Sequence, residues 1–107
     1  GAFPLWLAPV QVASLPVSEK FNGYAKKLFA AMREADIRAE LGDANETLGK
    51  RIREAELQKV PYVLVVGEKE EKNETVNVRH CRRGQEGEMR TEELIRKIKE
   101  GIASKKA

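Results

Sequence analysis

Basic side chains are concentrated at two places in the sequence and are the most prominent candidates for chemistry. One group lies on a predicted helix and the other follows a predicted strand; they comprise Lys50, Arg51 and Arg53, and Arg79, Arg82 and Arg83. Solubilising charge and a surface that follows phosphates are both compatible with this density. If the two groups meet on one side of the fold, a nucleic-acid partner is favoured, with Lys50, Arg51, Arg82 and Arg83 as candidate phosphate contacts.

Glu70 lies between these basic groups in the sequence and suggests base recognition. A carboxylate repels phosphate but accepts hydrogen bonds from the Watson–Crick N–H groups of guanine. A guanidinium such as that of Arg79 donates to guanine O6 and N7. Unpaired RNA bases are read through edge contacts of this kind. The alternatives are a plain turn charge for Glu70 and a cross-strand charge partner for Arg79.

The sequence contains no set of residues with the spacing of a catalytic or metal site. His80 and Cys81 are adjacent, and neighbours on a strand point to opposite faces, so they cannot form a nucleophile–base pair. We expect an incidental thiol beside a surface imidazole. One Cys and one His are too few for a Cys/His zinc site. Gly42, Gly49 and Gly67 form no phosphate-binding motif.

Length and composition indicate one small domain. The chain has 107 residues, of which 41% are hydrophobic and 35% charged, and its formal net charge is +3. This mild basicity permits an anionic partner without requiring one. A single cysteine is typical of a reducing compartment. No stretch approaches the roughly 20 apolar residues of a membrane span. Because the first methionine is Met32, we expect a piece of a longer protein.

The hydrophobic pattern predicts alternating strands and helices. The predicted strands are 10–17, 37–41, 62–67 and 75–79, with a short one at 89–90. The predicted helices begin at Ser18, at Asn45 as an N-cap, and at Thr91. Segments 68–74 and 82–88 are predicted to be a solvated turn and a loop.

This order of elements favours an α/β fold. Right-handed crossovers make the first three strands parallel in the order 2-1-3, with the later strands added antiparallel beyond the third. The carboxyl ends of parallel strands are where open α/β sheets bind ligands. The polar residues predicted to meet there are Lys20, Asp43, Asn45, Thr47, Lys69 and Glu70.

A series of motifs along the whole chain resembles the C-terminal anticodon-binding domain of bacterial-type threonyl-tRNA synthetases. The motifs are FPLWLAPVQV (3–12), ADIRAELGDANETLGKRIREAE (35–56), KVPYVLVVGEKE (59–70), VNVRHCRRG (76–84) and MRTEELI (89–95). The VPY-V-VG core is shared more widely by prolyl-, histidyl- and glycyl-tRNA synthetases. FPLWLAPVQ and the Arg-rich VRHCRRG segment point to threonine.

The resemblance implies a three-layer α/β fold for residues 1–107. Its mixed five-stranded sheet, of order about 2-1-3-4-5, would be flanked by three helices. It implies a cytoplasmic protein in which this domain holds the anticodon loop of threonine tRNA. A separate catalytic domain would attach threonine using ATP, and Mg and Zn would also belong to other domains. No cofactor is implied for this domain, which is expected to be monomeric within a homodimeric parent. An accessory protein-interaction module of the same fold is the alternative.

The resemblance also implies which residues contact the anticodon. Asn45, Glu70 and Arg79 carry over as base contacts, and Arg53 of the IRE motif carries over less closely. The implied targets are the middle and last anticodon bases, G35 and U36 in tRNA numbering. Thr47 stands where many relatives have Lys. VRHCRRG is one residue longer than the usual pattern, so the directions of the Arg82 and Arg83 side chains do not follow from that pattern.

Overall fold

A mixed five-stranded sheet forms the centre of the protein. The computed structural model describes residues 7–42, 47–80 and 84–103. Its strands are β1 (Val12–Pro16), β2 (Ala39–Leu41), β3 (Tyr62–Val66), β4 (Thr75–His80) and β5 (Gly84–Arg90). They lie in the order β2-β1-β3-β4-β5. Strand β1 is parallel to β2 and β3, whereas β4 is antiparallel to β3 and β5. The predicted fold class and strand order are confirmed.

Helices cover both faces of this sheet. A short 3-10 turn (Glu19–Phe21) leads into α1 (Asn22–Glu34), and the other long helices are α2 (Leu48–Leu57) and α4 (Thr91–Ala103). The sequence predicted all three long helices. Among the described residues, none of the helices combines the length and apolar character needed to cross a membrane.

A fourth, short helix, α3 (Glu68–Asn73), occupies the segment predicted to be a turn. Its first turn carries Glu68, Glu70 and Glu71, which the positive end of the helix dipole favours. It ends at Glu74, whose φ of 56° is left-handed. The prediction of a turn was wrong because a charged segment that buries no side chain still forms a helix when its first turn is acidic and capped.

The core is divided by the sheet into two layers. Tyr62, Leu64 and Val66 of β3 pack in the cluster that contains buried side chains of α1 and α4. The alternate residues, Val63 and Val65, pack in the cluster that contains side chains of α2. This is the two-sided burial that the uninterrupted apolar run of β3 predicts.

Strand β5 begins five residues earlier than the sequence indicated. The polar segment from Gly84 pairs with β4 at the edge of the sheet, with an irregular register between Val78 and Arg79. Gly84 and Gly87 have φ values of 76° and 89°, which glycine adopts at little cost. The loop prediction was therefore wrong for residues 84–88. A hydropathy pattern detects a polar edge strand poorly because such a strand need not bury its side chains.

His80 is buried rather than exposed. Its side chain is only 5% accessible, and its ring packs edge-on against Tyr62 with centroids 4.9 Å apart. The prediction that His80 is a surface residue was wrong. The even-numbered residues of β4 face the core between the sheet and α4. Cys81 lies outside the described residues.

Candidate nucleic-acid interface

Helix α2 covers only one half of its sheet face. Its side chains pack in the cluster of Ala13, Leu15, Val60 and Val63, which belongs to the β1–β3 half. Val63 pairs with Arg79, and Val65 pairs with Asn77. Directly paired side chains of neighbouring strands lie on the same face of a sheet.

The other half of this face carries polar side chains of β4 and β5. We call it the open face and define it by Asn77, Arg79, Gln85 and Glu88. Gln85 pairs with Arg79, and Glu88 pairs with Asn77, so all four belong to the α2 side of the sheet. None of these four residues is buried. The open face is therefore accessible to a ligand that makes hydrogen bonds.

Glu70 lies at the end of the open face near the carboxyl end of β3. Its Oε1 accepts a hydrogen bond from the Gly67 backbone N–H at 2.8 Å. By the alternation of β3, a Cβ at Gly67 would point to the same face as Val63 and Val65. Such a Cβ would lie 3.4 Å from Glu70 Oε1 and 3.1 Å from Val17 Cγ2. The carboxylate is thereby located over the α2 side of the sheet.

Arg79 lies at the opposite end of the open face. It pairs with Val63, four residues before Gly67 along β3, a separation of about 13 Å between backbones at 3.3 Å per residue. It borders a cleft with Ile52, Glu56 and Gly84. The sequence predicted that the ligand groups would meet at the carboxyl edge of the parallel strands. Glu70 lies near that edge, whereas Arg79, which was not among the residues predicted there, lies farther along the same face.

A hydrogen-bonded network around Glu88 ties α3 to β5. Thr75 Oγ1 donates to Glu88 Oε2 at 2.6 Å, and Asn73 Nδ2 donates to the same oxygen at 3.4 Å. Lys69 Nζ lies 4.0 Å from Glu88 Oε1. The Thr75 hydroxyl, followed by the Asn73 amide, lowers the pKa of the Glu88 carboxyl. The network attaches the helix that carries Glu70 to the edge of the open face.

Thr47 caps helix α2. Its side chain accepts a hydrogen bond from the Lys50 backbone N–H at 3.3 Å, and its backbone is extended. The prediction that Asn45 is the N-cap was wrong, because the first helical residue is Leu48 and Thr47 precedes it. Asn45 itself lies outside the described residues. Its role as a base contact therefore stays a prediction.

The basic residues of α2 divide into exposed and buried groups. Lys50, a predicted phosphate contact, and Arg53, a weaker predicted anticodon contact, are both exposed. Arg51 is only 5% accessible and lies in a cleft lined by Glu40, Glu54 and Gln58, among other residues. This burial argues against a surface phosphate contact for Arg51. The sequence alone does not distinguish it from its exposed basic neighbours.

The remaining predicted residues are only partly covered by the structure. Arg82, Arg83 and Asp43 lie outside the described residues. Lys20 is exposed and lies over the Phe21 ring at 5.9 Å. Within residues 7–42, 47–80 and 84–103, no group of three or more His, Cys, Asp or Glu side chains is arranged to hold a metal ion.

Asn77 and Gln85 are open-face residues that the sequence analysis did not identify. Gln85 Nε2 donates to Asn77 Oδ1 at 3.5 Å. A signal was available for Asn77, because it precedes Arg79 by two residues on a predicted strand and must share its face. No comparable signal existed for Gln85, which lay in a predicted loop.

Comparisons with known proteins identify the family of this domain. The Anticodon binding domain family matches residues 11–101. The threonine–tRNA ligase of Caldanaerobacter subterraneus subsp. tengcongensis is 50% identical over 105 residues, which are 98% of this chain and 16% of that protein. The corresponding enzyme of Phocaeicola vulgatus is 47% identical over 104 residues, 97% of this chain and 16% of its own.

A solved structure shows the same fold. The RNA-binding domain of threonyl-tRNA synthetase from Cryptosporidium parvum Iowa II superposes with a TM-score of 0.88 at 31% identity. The match covers 94% of this chain and 25% of that one. The chain thus spans about one sixth of the length of the two curated relatives described above.

Proposed function

We propose, from the premise that this chain belongs to the anticodon-binding domain family, that it binds the anticodon loop of threonine tRNA. It would be the recognition module of a threonine–tRNA ligase. The observation that carries this proposal is the position of Glu70 and Arg79 at the two ends of one open sheet face. The relatives that match nearly all of this chain are threonine–tRNA ligases. The open face presents the two side chains that suit a guanine edge.

Base recognition would rest on complementary hydrogen bonds. Glu70 accepts from the N1–H and N2–H groups of the middle anticodon guanine, and Arg79 donates to its Hoogsteen acceptors. Asn45 contacts the neighbouring uracil, the last anticodon base. These two bases are common to all threonine tRNAs, so they are suited to selecting this tRNA from others.

Exposed basic residues would hold the RNA backbone. Lys50 is exposed on the helix that borders the open face and would contact a loop phosphate, whereas Arg53, exposed on the same helix, would be a weaker anticodon contact. We place Arg82 and Arg83 in the same role. Phosphate contacts of this kind fix the position of the RNA without reading its sequence.

The chemistry of aminoacylation would take place elsewhere in the parent protein. A catalytic domain would use ATP, Mg and Zn to attach threonine to the 3′ end of the tRNA, in a cytoplasmic homodimer. This domain contributes no cofactor. Its task is to make binding depend on the anticodon.

A binding titration tests this function. The domain is titrated at low and moderate salt with a threonine anticodon stem-loop and with a loop in which the middle and last anticodon bases are exchanged. A clear preference for the threonine loop is the expected result. Equal, salt-sensitive binding would indicate a generic RNA surface. Absence of binding to either loop, together with salt-insensitive binding to a protein partner, would support the accessory module instead.

A further inference from the structure

The open face contains an amide that lies between the two proposed guanine contacts. Along β3, Gly67, Val65 and Val63 point to the same face in that order. Glu70 lies beside Gly67, Asn77 pairs with Val65, and Arg79 pairs with Val63. By register, Asn77 therefore lies between Glu70 and Arg79 on this line of residues.

The order of hydrogen-bonding atoms along the edge of guanine matches this line. N2–H and N1–H come first, O6 follows, and N7 comes last. If Glu70 accepts from the N–H groups and Arg79 donates toward N7, the atom that faces Asn77 is O6. A keto oxygen has two lone pairs, so it can accept one hydrogen bond from Arg79 and another from an amide.

A side chain of β5 makes a long hydrogen bond to the Asn77 amide. Gln85 Nε2 donates to Asn77 Oδ1 at 3.5 Å. This bond turns Oδ1 toward Gln85, so Nδ2, which can only donate, is the part of the amide that we expect to face a ligand. Glu88 pairs with Asn77 across the strands, but its Oε2 accepts hydrogen bonds from Thr75 and Asn73 rather than from the Asn77 amide.

We propose that Asn77 is a specificity-determining residue whose Nδ2 donates to O6 of an unpaired guanine held between Glu70 and Arg79. Gln85 is a positioning residue that keeps Asn77 in the donor orientation. The inference rests on the proposed function and deepens it, because it adds a third contact that distinguishes a 6-keto purine from a 6-amino purine.

The test is a mutant cycle with single-atom analogues at the middle anticodon base. Asn77→Ala is titrated with the threonine stem-loop and with the same loop carrying 6-thioguanine, whose sulfur is a poor acceptor. We expect a loss of about two- to tenfold with guanine, the size of one neutral hydrogen bond, and little further loss with 6-thioguanine. A 7-deazaguanine loop, which lacks N7, should leave the Asn77→Ala loss unchanged.

Three further variants separate the loss of this contact from a loss of folding. Asn77→Asp has nearly the same size but replaces the donor by an acceptor, so it should bind the guanine loop at least as weakly as Asn77→Ala. Gln58→Ala removes an exposed amide at the far end of α2 and should bind normally. For Gln85→Leu, the ratio of affinities for guanine over 2,6-diaminopurine should fall, because the Asn77 amide can then rotate.

The outcomes separate this inference from the function on which it rests. If the unaltered domain does not distinguish threonine loops from exchanged loops, the proposed function fails. If it does distinguish them, but Asn77→Ala and Asn77→Asp bind like the unaltered domain, the assignment of Asn77 is overturned. The assignment is also overturned if the loss in Asn77→Ala is equally large with guanine and 6-thioguanine.

Discussion

The Gly67 backbone N–H donates to Glu70 Oε1 at 2.8 Å, so one carboxylate both caps helix α3 and faces the proposed RNA site. One oxygen is held by the backbone where β3 passes into α3. This bond restricts rotation of the Glu70 side chain and so limits the directions in which the second oxygen can point. A preorganised acceptor of this kind loses less conformational entropy on binding than a mobile one.

Replacing Glu70 with glutamine should separate these two tasks. In Glu70→Gln the amide oxygen can still accept from Gly67, so the free energy of unfolding should change by less than about 1 kcal/mol. The amide N–H groups would then face guanine N–H donors, and affinity for the threonine loop should fall by about 1–3 kcal/mol. Titration calorimetry and thermal unfolding measure the two effects. Equal losses for threonine and exchanged loops would contradict the assignment of Glu70.

Adding a methyl group at Gly67 should crowd Val17 and so shift the turn that holds the Glu70 carboxylate. The new Cβ in Gly67→Ala would meet Val17 Cγ2 at 3.1 Å and Glu70 Oε1 at 3.4 Å. We expect weaker binding to the threonine loop, with a smaller loss for the exchanged loop. Gly23→Ala is the matched control, because Gly23 is exposed on α1 and a Cβ there meets nothing within 4 Å. It should bind normally and raise stability by about 0.5–1 kcal/mol.

The sheet could be predicted from the sequence because its strands have strong hydrophobic patterns. Tyr62–Val66 is apolar at every position, and the alternation of Thr75–His80 marks a strand with one covered face. The charged helix α3 and the polar strand β5 could not be predicted in the same way. Their formation depends on a backbone cap at Gly67 and on pairing with β4, neither of which produces a hydrophobic period.

The candidate site residues could be named from the sequence, but their relative positions could not. Glu70 and Arg79 were identified from residue type and family motifs. Their separation along the open face could not be derived, because it depends on the register that pairs Val63 with Arg79. Likewise, Lys50 and Arg51 are alike in sequence, and only the rotation of α2 about its axis makes one exposed and the other buried.

The exposure of Lys50 and the burial of Arg51 predict different effects when each is replaced by alanine. Lys50→Ala should weaken binding of all loops alike and lower the slope of log affinity against log salt by about one, as loss of a phosphate contact does. Arg51→Ala should mainly lower the free energy of unfolding, by about 1–3 kcal/mol, because it removes a buried side chain. Salt-dependent titrations and denaturant unfolding distinguish them. An unchanged stability in Arg51→Ala, with a reduced salt slope, would restore it as a phosphate contact.

The N-cap of α2 provides a test of local stability. Thr47→Ala removes the acceptor of the Lys50 N–H hydrogen bond and should cost about 1 kcal/mol of unfolding free energy. Thr47→Ser retains the hydroxyl and should remain within a few tenths of that of the unaltered domain. Denaturant unfolding measures both. If Thr47→Ala were as stable as Thr47→Ser but bound RNA less tightly, Thr47 would be a ligand contact rather than a cap.

The Glu88 network should make the free energy of unfolding depend on pH. Hydrogen bonds from Thr75 and Asn73 lower the pKa of Glu88 in the folded state, so the ionised form is favoured by folding. Its contribution is present above the unfolded pKa of about 4.5 and is lost as pH falls through the lower folded value. Glu88→Gln should therefore reduce the slope of unfolding free energy against pH below about 4.5.

Thr75→Val, which removes the stronger donor, should reduce the same slope, and the double variant should add little further. A slope unchanged in both single variants would show that the network does not control the titration of Glu88.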